Sequence, residues 1–232
     1  MRRPTRRFRG MFGPGLVALG AAACSLASRS GGLQAPPDRG DGWVTARPGG
    51  RSFSYGTAGA VVLGEVLRRA TGLPADACAA RRLFGPLGIR HVSWVSSPLG
   101  LPMTGGGLRI RSRDLLRLAR LCLDDGLFEG TGIVSSSWVE ASIRPHVRID
   151  GRTEYGSFWW LRTFTGRGRT FPAVDMSGNG GNKVVLVPGQ RLVAVITSTN
   201  YSARGMHGQT DRLLADDVLD AVVTPSGPSP RE

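Results

Sequence analysis

Apolar residues recur at three- and four-residue spacing in several stretches of the chain, and each such stretch predicts a helix. From Thr57 onward Val62, Leu63, Val66 and Leu67 form one stripe, which Gly72 ends. "ACAARRLFGPLGI" predicts a second, short helix stopped at Gly85-Pro86. The glycine-rich "TGGGLRIR" leads to Ser112, expected as an N-cap, with Asp114 in the first turn where a carboxylate favours the helix dipole. Leu115, Leu118, Leu121 and Cys122 are the expected buried side of that helix, and "DDG" closes it. The serines of "VSSSWVEASI" read as a capping box, Ser137 with Glu140 three residues on, rather than as nucleophiles. Between Gly205 and Val223 the helical period returns through Leu213, Leu214, Val218 and Leu219.

Other stretches have the strand pattern. In "YGSFWWLR" the adjacent Trp159 and Trp160 point to opposite faces, so at most one of them can face a ligand. "NKVVLVP" and "RLVAVITST" are two apolar runs joined by Pro188-Gly189-Gln190, which predicts a hairpin of buried strands. Helices first, then antiparallel strands, then a terminal helix indicate an α+β fold. Residues 30–50, dense in Gly, Pro and Asp, read as linker.

Composition changes this picture little. The chain has 232 residues, 41% hydrophobic and 20% charged, values of an ordinary globular domain. The net charge of +13, from 30 basic and 17 acidic residues, by itself suggests a polyanionic partner or an anionic surface. The basic residues are scattered, however, apart from Arg2, Arg3, Arg6, Arg7 and Arg9, and no basic stripe interleaved with aromatics occurs, so nucleic acid is not the expected partner. His91, His146 and His207 lie far apart and no Cys or His spacing suits a metal, so neither metal nor cofactor is expected. His207 reads as a local hydrogen-bonding group near a helix start. Cys78 and Cys122 fall inside helical patterns as small buried residues, and no disulfide framework is indicated.

The N-terminus has the layout of a bacterial export signal: arginines, an apolar run from Met11 to Ala23, then small residues. Cys24 ends a sequence like a lipoprotein box, so export to the periplasm, exterior or a lipid anchor is one expectation. A non-native segment on a cytoplasmic protein is the other. The expected organisation is residues 1–46 signal-like or non-native and without a fold of their own, 47–225 a domain, and 226–232 a disordered tail.

Four segments carry a resemblance. They are "PGGRSFSYGTAGAVVLGEVLRRATG", "LFGPLGIRHVSW", "GGLRIRSRDLLRLARLCLDDG" and "SGNGGNKVVLVPGQRLVAVITSTNY". In this order they resemble the β-lactamase-related serine hydrolases, which include class C β-lactamases, penicillin-binding DD-peptidases, esterases and 6-aminohexanoate-dimer hydrolases. The resemblance implies an antiparallel sheet flanked by helices, with a cleft beside a strand that starts near Ser177. It implies acyl transfer on amide or ester bonds of a small-molecule or peptide substrate.

In that family a Ser-x-x-Lys motif supplies nucleophile and base, and a tyrosine whose pKa the lysine lowers shuttles the proton. Tyr55 matches that tyrosine and Thr57 the position of the family asparagine. Ser177 and Gly178 match the Ser/Thr-Gly of the third box, Met176 stands where lysine or histidine stands in many members, and the N–H of Asn179 matches an oxyanion donor. The Ser-x-x-Lys motif itself is absent: Lys183 is the only lysine, and Gly180 precedes it by three. The expectation is a domain lacking the first strands and the nucleophile helix, inactive alone and poorly soluble. An exported binder of peptide or cell-wall fragments, a basic module for anionic surfaces, and a separate chain supplying Ser-x-x-Lys are the alternatives.

Overall fold

The computed structural model describes residues 9–12 in their backbone, and residues 53, 55–201 and 203–223. Strand β1 (Arg9–Phe12) is followed by α1 (Thr57–Thr71) and α2 (Ala75–Ala79), which runs on as a wider π turn through Phe84. Then come β2 (Val92–Trp94), β3 (Leu108–Arg111), α3 (Ser112–Leu123), the short β4 (Leu127–Phe128) and β5 (Thr131–Gly132), and α4 (Ser136–Ile143). The second half of the chain is β6 (Val147–Arg148), β7 (Thr153–Tyr155), β8 (Trp160–Gly166), β9 (Arg169–Gly178), β10 (Asn182–Val187) and β11 (Leu192–Ile196). It closes with α5 (Gly208–Arg212), a π stretch over Leu213–Leu219 and a last turn, α6 (Asp220–Val223). Of the expected segments 1–46 and 226–232, only Arg9–Phe12 lies within the described residues, where it pairs antiparallel with β3.

Strands β6 to β11 form one six-stranded sheet in chain order, β11-β10-β9-β8-β7-β6, each pair antiparallel. The hairpin expected from the two apolar runs is the β10–β11 pair, turned by Pro188–Gln190. Every residue of β10 is buried, because alternate side chains enter two different cores. Val184 and Leu186 join Val174, Met176, Trp159 and the Leu115–Leu118–Leu121 side of α3. Val185 and Val187 join Phe171, Ala173 and Ala194 under Leu214 and Leu219 of the C-terminal helix. The sheet is thus a middle layer between helices, which is the expected α+β arrangement.

Local expectations are corrected in four places. In α1 the buried positions are Ala60 and Leu67, while Val62 is 63% exposed and Val66 is exposed as well. The helix packs through its small residues instead: Thr104 lies against Gly64 so closely that a Cβ there would meet its Oγ1 at 2.6 Å, and that hydroxyl donates to the Ala60 carbonyl. Ser112 is the first helical residue of α3 rather than its cap, which is Arg111 without a side-chain bond. The cap of α4 is Ser135, whose Oγ accepts from the Trp138 N–H, so Ser137 lies inside the first turn; consecutive serines offer adjacent registers and packing chose the earlier one. Cys78 is buried as expected but takes part in a disulfide, whereas Cys122 is a free buried thiol whose pKa burial pushes up to about 12.

Candidate active site

The strand β9 ends, rather than starts, at the residues singled out above. Ser177 is the cross-strand partner of Lys183 on β10 and Gly178 that of Asn182. Directly opposed residues share a face, so Ser177 and Lys183 point together toward the C-terminal helix. Met176 points the other way, buried among the leucines of α3, so the family's cationic position is here a core position. Asn179 opens the turn, its carbonyl accepting from Asn182 Nδ2 at 2.7 Å. The turn needs its glycines: Gly180 and Gly181 both have φ of 83°, a left-handed conformation. A Cβ on Gly181 would also meet the Met206 carbonyl oxygen at 2.5 Å.

Around Ser177 lies a polar network inside an otherwise apolar interface. Ser177 Oγ donates to Asp175 Oδ2 at 2.6 Å and accepts from Lys183 Nζ at 3.3 Å. Asp175 is gripped by Arg162, Nε to Oδ1 at 2.7 Å and Nη2 to Oδ2 at 2.9 Å. From the C-terminal helix Asp211 reaches down to Lys183 Nζ at 3.0 Å and to Arg162 at 3.6 Å. His207, just before α5, brings Nδ1 to 3.5 Å from Lys183 Nζ, while its carbonyl accepts from Thr210 Oγ1. Lys183 is wholly buried. Burial of a charged group is tolerated only with partners, and two guanidinium or ammonium groups here face two carboxylates.

That balance leaves His207 neutral. Burial pushes its pKa below the usual value and the Lys183 ammonium pushes it further down. Burial likewise lowers the pKa of Lys183, against the attraction of Asp211. The linkage sign follows: between the depressed folded pKa of His207 and its unfolded value of about 6.5, the unfolded chain binds more protons, so stability rises with pH. Lowering the pH through that window therefore reduces Tm, and His207→Gln flattens the fall between pH 7 and pH 5.5. Thermal unfolding of both proteins across that range checks it.

Tyr55 lies in an aromatic wall next to this network. Its ring stacks on Trp160 with centroids 5.7 Å apart and 27° between planes. Trp160 in turn meets Tyr155 and Phe53 edge-on, at 5.0 and 5.9 Å. Trp160 is the cross-strand partner of Asp175, so the ring that carries Tyr55 sits beside the carboxylate that holds Ser177. Trp159 enters the core, and only Trp160 of the pair is available to a ligand, as the strand period requires. Burial raises the Tyr55 pKa above its ordinary value. Thr57 starts α1 and is turned onto the loop before β3, where a Cβ on Gly105 would meet its Cγ2 at 2.3 Å.

Tyr55 thus stacks on Trp160, whose cross-strand partner Asp175 accepts from Ser177, while Thr57 packs against Gly105 at the helix start. Sequence reasoning missed Arg162, Asp175, Lys183 and Asp211 and set His207 aside as a local group. One signal was available: a lone lysine inside the apolar run "NKVVLVP" has to be buried and therefore has to be paired.

Comparisons with known proteins bear on the family and the fold. The family model described as Beta-lactamase matches residues 25–219. A 6-aminohexanoate-dimer hydrolase from Paenarthrobacter ureafaciens is 30% identical over 219 residues, covering 80% of this chain and 54% of that protein. The chain thus spans about half the length of that curated relative. Among solved structures, a β-lactamase from Mycobacterium bovis superposes with a TM-score of 0.64 at 18% identity, covering 89% of this chain and 93% of that one. A class C β-lactamase gives 0.66 at 13% identity, covering 98% and 85%. At these identities the two structures are similar in fold.

Proposed function

The chain belongs to the β-lactamase family, and from that premise we propose that it carries the tyrosine wall and third-box strand of a serine-hydrolase cleft but does not transfer acyl groups by itself. The observation that carries this reading is the position of its one lysine. Lys183 lies wholly buried on β10 with its Nζ 3.0 Å from Asp211, and Gly180 stands three residues before it, so it is not placed as the lysine of a Ser-x-x-Lys turn. The family mechanism requires a serine activated by a neighbouring lysine and a tyrosine whose pKa that lysine depresses. Here the Tyr55 pKa is raised by burial, which keeps a protonated phenol at neutral pH.

Ser177 does not replace the missing nucleophile. Its hydroxyl proton is directed at Asp175, and that carboxylate is held by both nitrogens of an Arg162 fork. Ser177 is instead a fixed dipole at the end of β9, beside the turn whose Asn179 N–H matches the oxyanion donor.

The test is incubation with a fluorescent penicillin and, separately, a fluorophosphonate, followed by intact-mass analysis. No mass increment and no hydrolysis of a chromogenic ester are expected. A covalent adduct on any serine would overturn the reading.

A second reading, an exported non-catalytic binder of peptides or cell-wall fragments, is favoured by the wall of Tyr55 and Trp160, in which Tyr55 is 47% exposed. It predicts quenching of tryptophan fluorescence by D-amino-acid peptides without turnover, lost in Trp160→Ala.

A further inference from the structure

Away from the cleft, the hairpin of β2 and β3 gathers charge onto one face. Between Asp76 and Asp114 the chain carries six arginines, Arg81, Arg82, Arg90, Arg109, Arg111 and Arg113, and no acidic residue. Along β3 the arginines alternate with Leu108 and Ile110, which enter the core, so Arg109 and Arg111 share the outer face of the small sheet. Ser93 of β2 is the cross-strand partner of Arg109 and lies on that face too. Arg113 follows, exposed in the first turn of α3. The carboxylate next to it in sequence, Asp114, is buried and held by Arg117 at 3.0 Å. Among the described residues no ion pair involves Arg109, Arg111 or Arg113, so their charges are open to a partner.

The same hairpin carries exposed apolar residues in its loop. Val95, two residues on from Ser93, extends the ladder through its N–H to the Gly107 carbonyl and is 45% exposed. At the tip the Gly100 N–H donates to the Ser97 carbonyl and the Ser97 N–H donates to that of Leu101, which closes a tight turn. Leu99 stands in that turn, 86% exposed, and Leu101 beside it is exposed as well. Apolar residues held out by a braced loop next to unpaired arginines form a surface that association would cover.

We propose that this hairpin docks the chain onto an anionic lipid bilayer, with Arg109, Arg111 and Arg113 against the headgroup phosphates and Leu99 in the interfacial layer. Charge complementarity makes the partner an anion. The apolar tip favours a bilayer, whose interface takes up leucine, over a nucleic acid strand, which is bound through aromatic rings set among the basic groups. No aromatic residue occurs from Val95 to Gly107. One arginine near an anionic leaflet is worth about fivefold in partitioning, so three give about a hundredfold at low salt, a reversible attachment rather than an anchor. The proposal is independent of the hydrolase cleft and of any activity there.

Co-sedimentation of the full chain with vesicles tests it. Binding is expected to vesicles of phosphatidylglycerol and phosphatidylcholine in equal parts, not to phosphatidylcholine alone, and it falls as salt screens the charges. Arg109→Gln combined with Arg111→Gln weakens binding about 25-fold. Leu99→Ser weakens it about tenfold and leaves the salt dependence unchanged. Neither change touches the core, and an unchanged urea midpoint verifies the fold of each variant.

No binding to the mixed vesicles, or equal binding to phosphatidylcholine alone, would overturn the proposal. So would binding that both variants retain in full, which would place the attachment elsewhere in the chain. Binding to duplex DNA as tight as to the vesicles, with Leu99→Ser without effect on either, would also overturn it and make the face a general polyanion site.

Discussion

Replacing Lys183 by methionine destabilises the fold by about 3 kcal/mol, measured as a lower urea midpoint at unchanged slope. The side chain is fully buried, and its removal leaves Asp211 with Arg162 alone at 3.6 Å and takes a donor from Ser177. Breaking a buried pair by deleting one partner costs about 3–5 kcal/mol. The low end applies because the Asp211 side chain keeps 31% of its exposure and can turn to water. A second substitution separates pairing from packing. Lys183→Met combined with Asp211→Leu recovers most of the loss, since a buried pair replaced whole by apolar groups is close to neutral. If the single variant is as stable as the parent, the network around Ser177 does not hold the C-terminal helix to the sheet.

The second large effect discriminates between neighbours in sequence. Trp159→Ala costs about 3–5 kcal/mol, the range for emptying a buried aromatic position, because Trp159 has no exposure and packs with Val174, Met176 and Val184. Trp160→Ala costs only about 1 kcal/mol, the worth of aromatic pairs on a half-buried wall, but it removes the ring on which Tyr55 stacks. Equal losses in the two variants would mean that the strand presents its faces differently from the pairing Tyr155↔Trp160 and Trp160↔Asp175.

How much of this was legible in the sequence depended on the length scale of the signal. The hairpin of β10 and β11 was readable because two continuous apolar runs flanked one turn, and α3 because its leucines kept the helical period. The face of α1 was misread because Val62 and Val66 are the more hydrophobic residues, while Gly64 and Ala60 are the ones that let Thr104 come close. Hydrophobicity reports what a side chain gains by burial, not which side has room for a neighbouring backbone.

The candidate site was legible only in its local pieces. Tyr55 and the Ser177–Asn179 segment stood out because they lie within quoted motifs. The ionic network could not be assembled in advance, since its members come from β8, β9, β10 and the C-terminal helix and meet only through sheet register and helix docking. Met176 shows the same limit from the other side: its position matched a catalytic box, but its strand parity sends it into the core.

The burial of Lys183 also governs its reaction with amine reagents. As the sole ε-amine of the chain and a wholly buried one, it is shielded from acylating probes while the C-terminal helix stays docked. In the folded protein an amine-directed label does not reach Lys183. An adduct at Lys183 would mark each opening of that helix, so the molecule carries its own reporter of local unfolding.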